Sequence, residues 1–376
     1  MQRRRLLQSL PAVAGASLAG CTSDIDGSGT TETDTTTDTA TDTETTESTT
    51  TAPDGPSGIY VQTFMDEMEM VGMGESGDLR ATLMLSIPHD FWNLNGTSVE
   101  KTAVADADSF HLMTSVFDAE TNTALPASVN VEVLQDGDTV TQEVTYPMLS
   151  QRMGFHYGAN FQVADFGSYV ARVNFEGMGS TETMGELAGK YGEGVTVEIP
   201  FEWSESVASE FSVRDLDQGG NRGAVKPMDM AAPQGVAPAP ESLPGTAVGS
   251  KLADGARMVT RVVDGGGRFV EDGDYLYVSA RTRYNGFVVP MMGVQATVTR
   301  DGDTVFEDRL TPVVDDEVGY HYGAACESVE PGDGVTVAAT TPSQVAPRAT
   351  SARSARCQIV PSPSDLSFTR PNPTNT

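Results

Sequence analysis

Four histidines and sixteen methionines hold most of the metal-binding capacity of this chain. The histidines are His89, His111, His156 and His321. Met65, Met68, Met70 and Met73 crowd the first strand region, and Met113, Met148, Met153, Met178 and Met184 follow. Imidazole and thioether together are borderline and soft ligands, suited to Cu(I) or Cu(II). For an isolated Met the ordinary role is core packing, because its side chain fills irregular gaps. His111 and Met113 lie two apart on an expected strand, so both point to one face. That geometry serves joint ligation and joint burial alike. No Ser-His-Asp order, Cys-His pair or phosphate loop is present, so the chain is not expected to be an enzyme.

The elements that position these residues read as β, and they come twice. Asp136-Gly137-Asp138-Thr139-Val140 recurs as Asp301-Gly302-Asp303-Thr304-Val305, and His156-Tyr157-Gly158-Ala159 recurs as His321-Tyr322-Gly323-Ala324. Both identities have the same offset, and Pro147 falls on Pro312, which indicates a duplicated domain. Val129–Val133 alternates strictly, and the Asp-Gly-Asp turn after it predicts a hairpin. Tyr169–Phe175, Val195–Ile199, Tyr275–Arg281 and Val294–Thr299 alternate as well. Short strands at about ten-residue intervals predict an all-β chain of two immunoglobulin-like β-sandwiches.

Tyr146-Pro147-Met148 followed by Gly154-Phe155-His156-Tyr157-Gly158-Ala159-Asn160 resembles a signature of the periplasmic iron(II) transport protein family, whose members bind copper and assist iron uptake. Met68-Glu69-Met70-Val71-Gly72-Met73-Gly74 and Phe110-His111-Leu112-Met113 resemble two further segments, in the same order, over roughly residues 59–203. The resemblance implies an immunoglobulin-like domain that forms a homodimer, binds copper or iron through Met and His, and works beside an iron permease in the membrane. Carried over residue by residue, it makes His111, Met148 and His156 metal ligands. Met113 stands where the family has a Glu ligand. The family's later Gly-Met-His-x-His segment falls near Gly177-Met178-Gly179, with neither His present, which leaves Met178 or Met184 to supply a further thioether. These departures shift the expected preference toward Cu(I) and away from iron at that site.

The second repeat lacks the set. Val313 stands at the place of Met148, and Tyr275-Leu276-Tyr277 offers no His for His111. His321 is then expected to be a hydrogen-bonded structural residue, with Met291 and Met292 the weaker metal alternative. From residue 347 the text turns basic, with Arg348, Arg353, Arg356 and Arg370 facing only Asp365, and shows no strand pattern. A disordered tail and a frameshifted one fit this equally, and a Cys326–Cys357 pairing has meaning only in the former.

The 376 residues are organised as a leader (1–21), a Thr/Asp/Glu-rich disordered stalk (22–57), a metal-binding sandwich (58–205), a Gly/Pro/Ala-rich linker (206–249), a degenerate second sandwich (250–346) and the tail (347–376). The leader joins Arg3-Arg4-Arg5 to a short apolar run and Leu18-Ala19-Gly20-Cys21. It resembles a twin-arginine lipoprotein signal in which Cys21 is lipidated. That places the protein on the outer face of the cell membrane, held by lipid. Acidic residues number 53 against 23 basic, a formal net charge of -30. Such a balance excludes nucleic acid as a partner and matches the acid-rich, Lys-poor composition of halophilic proteins. A structural cell-surface stalk protein with Met in its core is the alternative to metal binding.

Overall fold

The computed structural model describes residues 59–253, 255–347 and 366–371. The leader with Cys21, the stalk, Cys357 and the rest of the tail lie outside the described residues. In chain order the first half contains β1 (Phe64–Asp66), β2 (Met68–Ser76), β3 (Leu79–Ser86), β4 (Phe91–Asn95), β5 (Ser98–Thr102), β6 (Phe110–Asp118) and β7 (Val129–Gln135). It continues with β8 (Asp138–Val144), β9 (Tyr146–Ser150), β10 (Gly154–Phe161), β11 (Gly167–Phe175), β12 (Glu182–Met184), β13 (Val195–Trp203) and β14 (Val213–Asp215). The second half contains β15 (Thr246–Ala253), β16 (Ala256–Asp264), β17 (Asp274–Thr282), β18 (Gly293–Arg300), β19 (Asp303–Asp315), β20 (His321–Cys326), β21 (Gly334–Thr341), β22 (Ala346–Pro347) and β23 (Leu366–Thr369). Glu205–Glu210 is the one α-helix among the described residues, and the fold is all-β and immunoglobulin-like.

In the first sandwich a β2-β3-β6-β10-β9 sheet faces a β13-β11-β7-β8 sheet. Period-two patterning decides which side chains go where. Leu79, Ala81, Leu83 and Leu85 of β3, Phe110 and Leu112 of β6, and Phe155, Tyr157, Ala159 and Phe161 of β10 enter the shared core. Burial of a large one of these is worth about 1.5–3 kcal/mol. The alternate residues Met84 and Ser86, His111 and Met113, and His156, Gly158 and Asn160 therefore point to the other face of the same sheet. The Asp-Gly hairpins are pinned by their turns: Asp136 and Gly137 have φ of 53° and 90°, Asp301 and Gly302 of 52° and 94°. Positive φ at both central residues gives the turn twist that matches paired strands.

The second sandwich repeats the layers as β15-β16-β17-β20-β19 and β19-β18-β21-β23, with the long β19 serving both. Its last strand corrects the expectation of a tail without strand structure. β23 pairs antiparallel with β21, Val335 opposite Phe368, as β13 pairs with β11 in the first copy. Phe368 is buried against Gly249, where any β-carbon would overlap its ring. Arg370 lies 3.6 Å from both Asp264 and Asp274.

The two sandwiches exchange edge strands. β22 of the second adds in parallel to β9 of the first, with Ala346 opposite Met148. β12 of the first adds in parallel to β19 of the second, with Glu182 opposite Val313. One buried cluster contains Leu112 and Tyr157 together with Leu276 and Tyr322, so the core is continuous across both copies. The stretch read as a linker is hydrogen-bonded to its surroundings: Met228 N donates to Arg152 O (3.0 Å), Ala237 N to Gly286 O (2.8 Å), and Val288 N to Gly235 O (2.8 Å).

Candidate metal centre

His111, Met113, Met148 and His156 line one cavity on the outer face of the β6–β10–β9 sheet, with about 30 Å3 of free volume. That is room for an ion or one or two waters. Strand register places them. His156 is opposite Met148 across β10–β9, and Met113 and His111 are opposite Gly158 and Asn160 across β6–β10. The motif His156-Tyr157-Gly158-Ala159-Asn160 thus divides its work. Its odd members serve the core, where Tyr157 donates its hydroxyl to Leu125 O (3.1 Å) and accepts from Ala127 N (2.7 Å). Its even-numbered residues face the cavity side, where His156 lines the wall and Gly158 and Asn160 lie against His111.

Three imidazoles line this cavity, because His89 joins His111 and His156. The His89 and His111 rings lie 4.2 Å apart, centroid to centroid. Each ring commits Nδ1 to an oxygen. His111 Nδ1 meets Asn160 Oδ1 (2.8 Å), His156 Nδ1 meets Gly154 O (3.0 Å), and His89 Nδ1 meets Asp90 O (3.0 Å). The orientation of the Asn160 amide follows from Nδ2 donating to His89 O at 3.1 Å. Carbonyl oxygens only accept, so in the neutral rings Nδ1 carries the proton and Nε2 the lone pair. Such oxygen partners behind a ring are the usual support of a metal-ligating His.

Gly158 is required by close approach. A β-carbon there would come within 2.6 Å of His111 Nε2 and 3.1 Å of Met148 Sδ. An imidazole nitrogen and a thioether sulfur therefore stand over the same point of backbone. Met68 and Met153 also line the cavity, with Phe91, Leu149, Ser150 and, from β22, Ala346. Met178 and Met184 lie elsewhere. Met178 is buried in the main core, and Met184 sits on β12 opposite Asp315. The Asp90 carboxylate at the rim is engaged by Lys101 Nζ (2.5 Å) and Val104 N (2.9 Å), and the Lys101 hydrogen bond holds it below the ordinary carboxylate range. His89, Met68 and Met153 were the residues that spacing did not select. His89 follows β3 in a Pro88-His89-Asp90 turn with no periodicity to flag it, although it is one of only four His.

The second copy shows the same frame without the donors. Gly323 pairs with Tyr277, and Ala325 with Tyr275, so the tyrosines occupy the places of Met113 and His111. A β-carbon on Gly323 would overlap the Tyr275 ring. His321 Nδ1 donates to Gly319 O (3.0 Å), and the Tyr275 hydroxyl is 3.1 Å from His321 Nε2. Tyr277 stacks on the His321 ring at 4.5 Å. Burial lowers the His321 pKa to about 4. Both ring nitrogens are in use, and Met292 belongs to the main core.

Among the described residues no three His, Cys, Asp or Glu side chains come together closely enough to hold an ion by themselves. The thioethers of Met68, Met113, Met148 and Met153 are the further soft donors of the cavity lining. Imidazole and thioether over a glycine cradle fit a soft or borderline ion, and the one carboxylate of the lining, Asp90, is engaged by Lys101 and Val104 N.

A family model described as a domain of unknown function, DUF7350, matches residues 241–348, the second sandwich. No curated protein matches the chain. Among solved structures, as-isolated FetP from uropathogenic E. coli aligns with a TM-score of 0.29 at 16% identity, over 36% of this chain and 96% of its own. A copper-bound variant of the same FetP aligns with a TM-score of 0.28 at 14% identity, over 37% of this chain and 93% of its own. The chain is weakly similar to these structures.

Proposed function

We propose that the first sandwich binds copper, as Cu(I), in the cavity between β6, β10 and β9. The observation that supports this most directly is the common state of the three imidazoles. Each meets an oxygen through Nδ1, and all three line one cavity with Met148. His111, His156 and Met148 would hold the ion, and His89, Met113, Met68 or Met153 would complete the shell. Bound copper supplies affinity for soft ligands and one-electron chemistry. The second sandwich holds no metal and walls the site through β22. Through Cys21 the protein is lipid-anchored on the outer membrane face, where it assists iron or copper uptake, with an iron permease as membrane partner. The test is competition with a Cu(I) chelator. His111→Ala and His156→Ala should each release the tightest copper equivalent, and His321→Ala should not. Equal affinity in all three variants would overturn the reading.

A further inference from the structure

Beside the imidazole cavity lies a second cluster of a different kind. Met84, Met113 and Met153 are buried against one another, and the partly buried Met68, Met228 and Met230 pack on them. Every member is a methionine. The main core, by contrast, is mostly Val, Leu, Phe, Tyr and Ala, with Met178, Met258 and Met292 as its buried methionines. Gap filling alone would scatter Met as it does there. Concentration of six thioethers at one place needs another reason.

The register shows how the cluster forms. Met70, Met84 and Met113 stand opposite one another in turn across β2, β3 and β6, and Met113 faces Gly158 of the imidazole site. Directly opposed residues share a sheet face, here the face turned away from the sandwich core. Met70 at the outer end is exposed, whereas Met84 is buried. The cover comes from the segment before the second sandwich. Met228 is tied down by its N–H to Arg152 O (3.0 Å), and Gln234 Nε2 donates to both Arg152 O (2.6 Å) and Met228 O (3.0 Å). Two hydrogen-bonded anchors on one short stretch hold Met228 and Met230 against the buried methionines.

We infer that Met84, Met228 and Met230, with Met68, Met113 and Met153, form a second metal site, built of thioethers alone, for a monovalent soft cation such as Cu(I) or Ag(I). Neutral sulfur donors select soft ions over divalent hard ones. Met68, Met113 and Met153 also line the imidazole cavity, so the two sites share a wall and an ion can pass from one to the other. The inference extends the copper reading and is told apart from it by Met84, Met228 and Met230, which are not among the residues lining the imidazole cavity.

The test uses the full chain with methyl-labelled methionine and Ag(I) as a redox-inert probe. Two equivalents of Ag(I) should bind, and the methyl signals of Met84, Met228 and Met230 should shift with one of them. In His156→Ala that equivalent should persist. In the triple variant Met84→Leu, Met228→Leu, Met230→Leu, which conserves side-chain volume, stoichiometry should fall from two to one. Methyl signals of these three residues that stay fixed through two equivalents, or a triple variant that still takes two, would overturn the second site. Loss of both equivalents in His156→Ala would also overturn it, by showing one site rather than two. Stoichiometry unchanged by His156→Ala with moving methyl signals would uphold the thioether site and count against the imidazole site.

Discussion

The Tyr275 hydroxyl donates to His321 Nε2 across 3.1 Å, and in the first copy the residue at the place of Tyr275 is His111. Tyr275 and Tyr277 in place of His111 and Met113 thus turn a wall of donors into a closed hydrogen-bonded stack. Gly319 O takes the other nitrogen, and Tyr277 covers the ring.

That closure has a pH signature. Burial holds the His321 pKa at about 4 from an ordinary 6.5. Below pH 6.5 the unfolded chain takes up a proton that the folded chain refuses, so stability falls on acidification from 6.5 to 4 and is regained as pH rises. The full effect is on the order of 3 kcal/mol. Denaturant midpoints measured across this window should drop for the wild type and drop less for His321→Gln. Parallel curves would show that His321 does not titrate as the buried stack requires.

Part of the candidate site was legible because strand periodicity is local, whereas Met148 and His156 were selected by the family resemblance. The alternation of Val129–Val133 and the Asp-Gly turns define β7, β8, β18 and β19, and the spacing of His111 and Met113 puts both on one face of β6. His89 was not legible as a site residue, because it lies in an irregular turn and reaches the cavity only through tertiary folding. β23 was hidden by its four-residue length, too short for alternation to show, and by its distance in sequence from the strand it pairs with. The edge exchange of β12 and β22 depends on contacts between copies that no periodicity within one copy encodes.

Asn160 should matter through His111. It accepts from His111 Nδ1 at 2.8 Å and so fixes the tautomer. Asn160→Leu should weaken Cu(I) binding about 10–100-fold, the usual cost of losing such a partner. Asn160→Asp, which keeps an acceptor, should lose less. Equal affinities for the two variants in a chelator competition would count against a tautomer role.

Gly158→Ala should separate binding from folding. Its β-carbon would crowd His111 Nε2 and Met148 Sδ on the outer face. The copper-induced rise in melting temperature should shrink, by more than the apo-protein melting temperature falls. A full copper-induced rise in this variant would mean that the imidazole and thioether do not meet over Gly158 when the ion binds.

The terminal strand predicts a stability effect remote from the metal. Phe368 is buried against Gly249 and is central to β23. Phe368→Ala should cost about 3–5 kcal/mol, visible in chemical denaturation of the apo protein. A midpoint equal to that of the wild type would place the tail outside the folded unit.

The most direct test of the central claim is X-ray absorption at the copper edge on full-length protein loaded with one equivalent of Cu(I), compared with the Met148→Leu variant. The account predicts imidazole nitrogen and thioether sulfur in one coordination shell, with sulfur scattering reduced in Met148→Leu, whose apo fold is retained because the change conserves volume. A shell of nitrogen and oxygen alone, or sulfur scattering untouched by Met148→Leu, would contradict it.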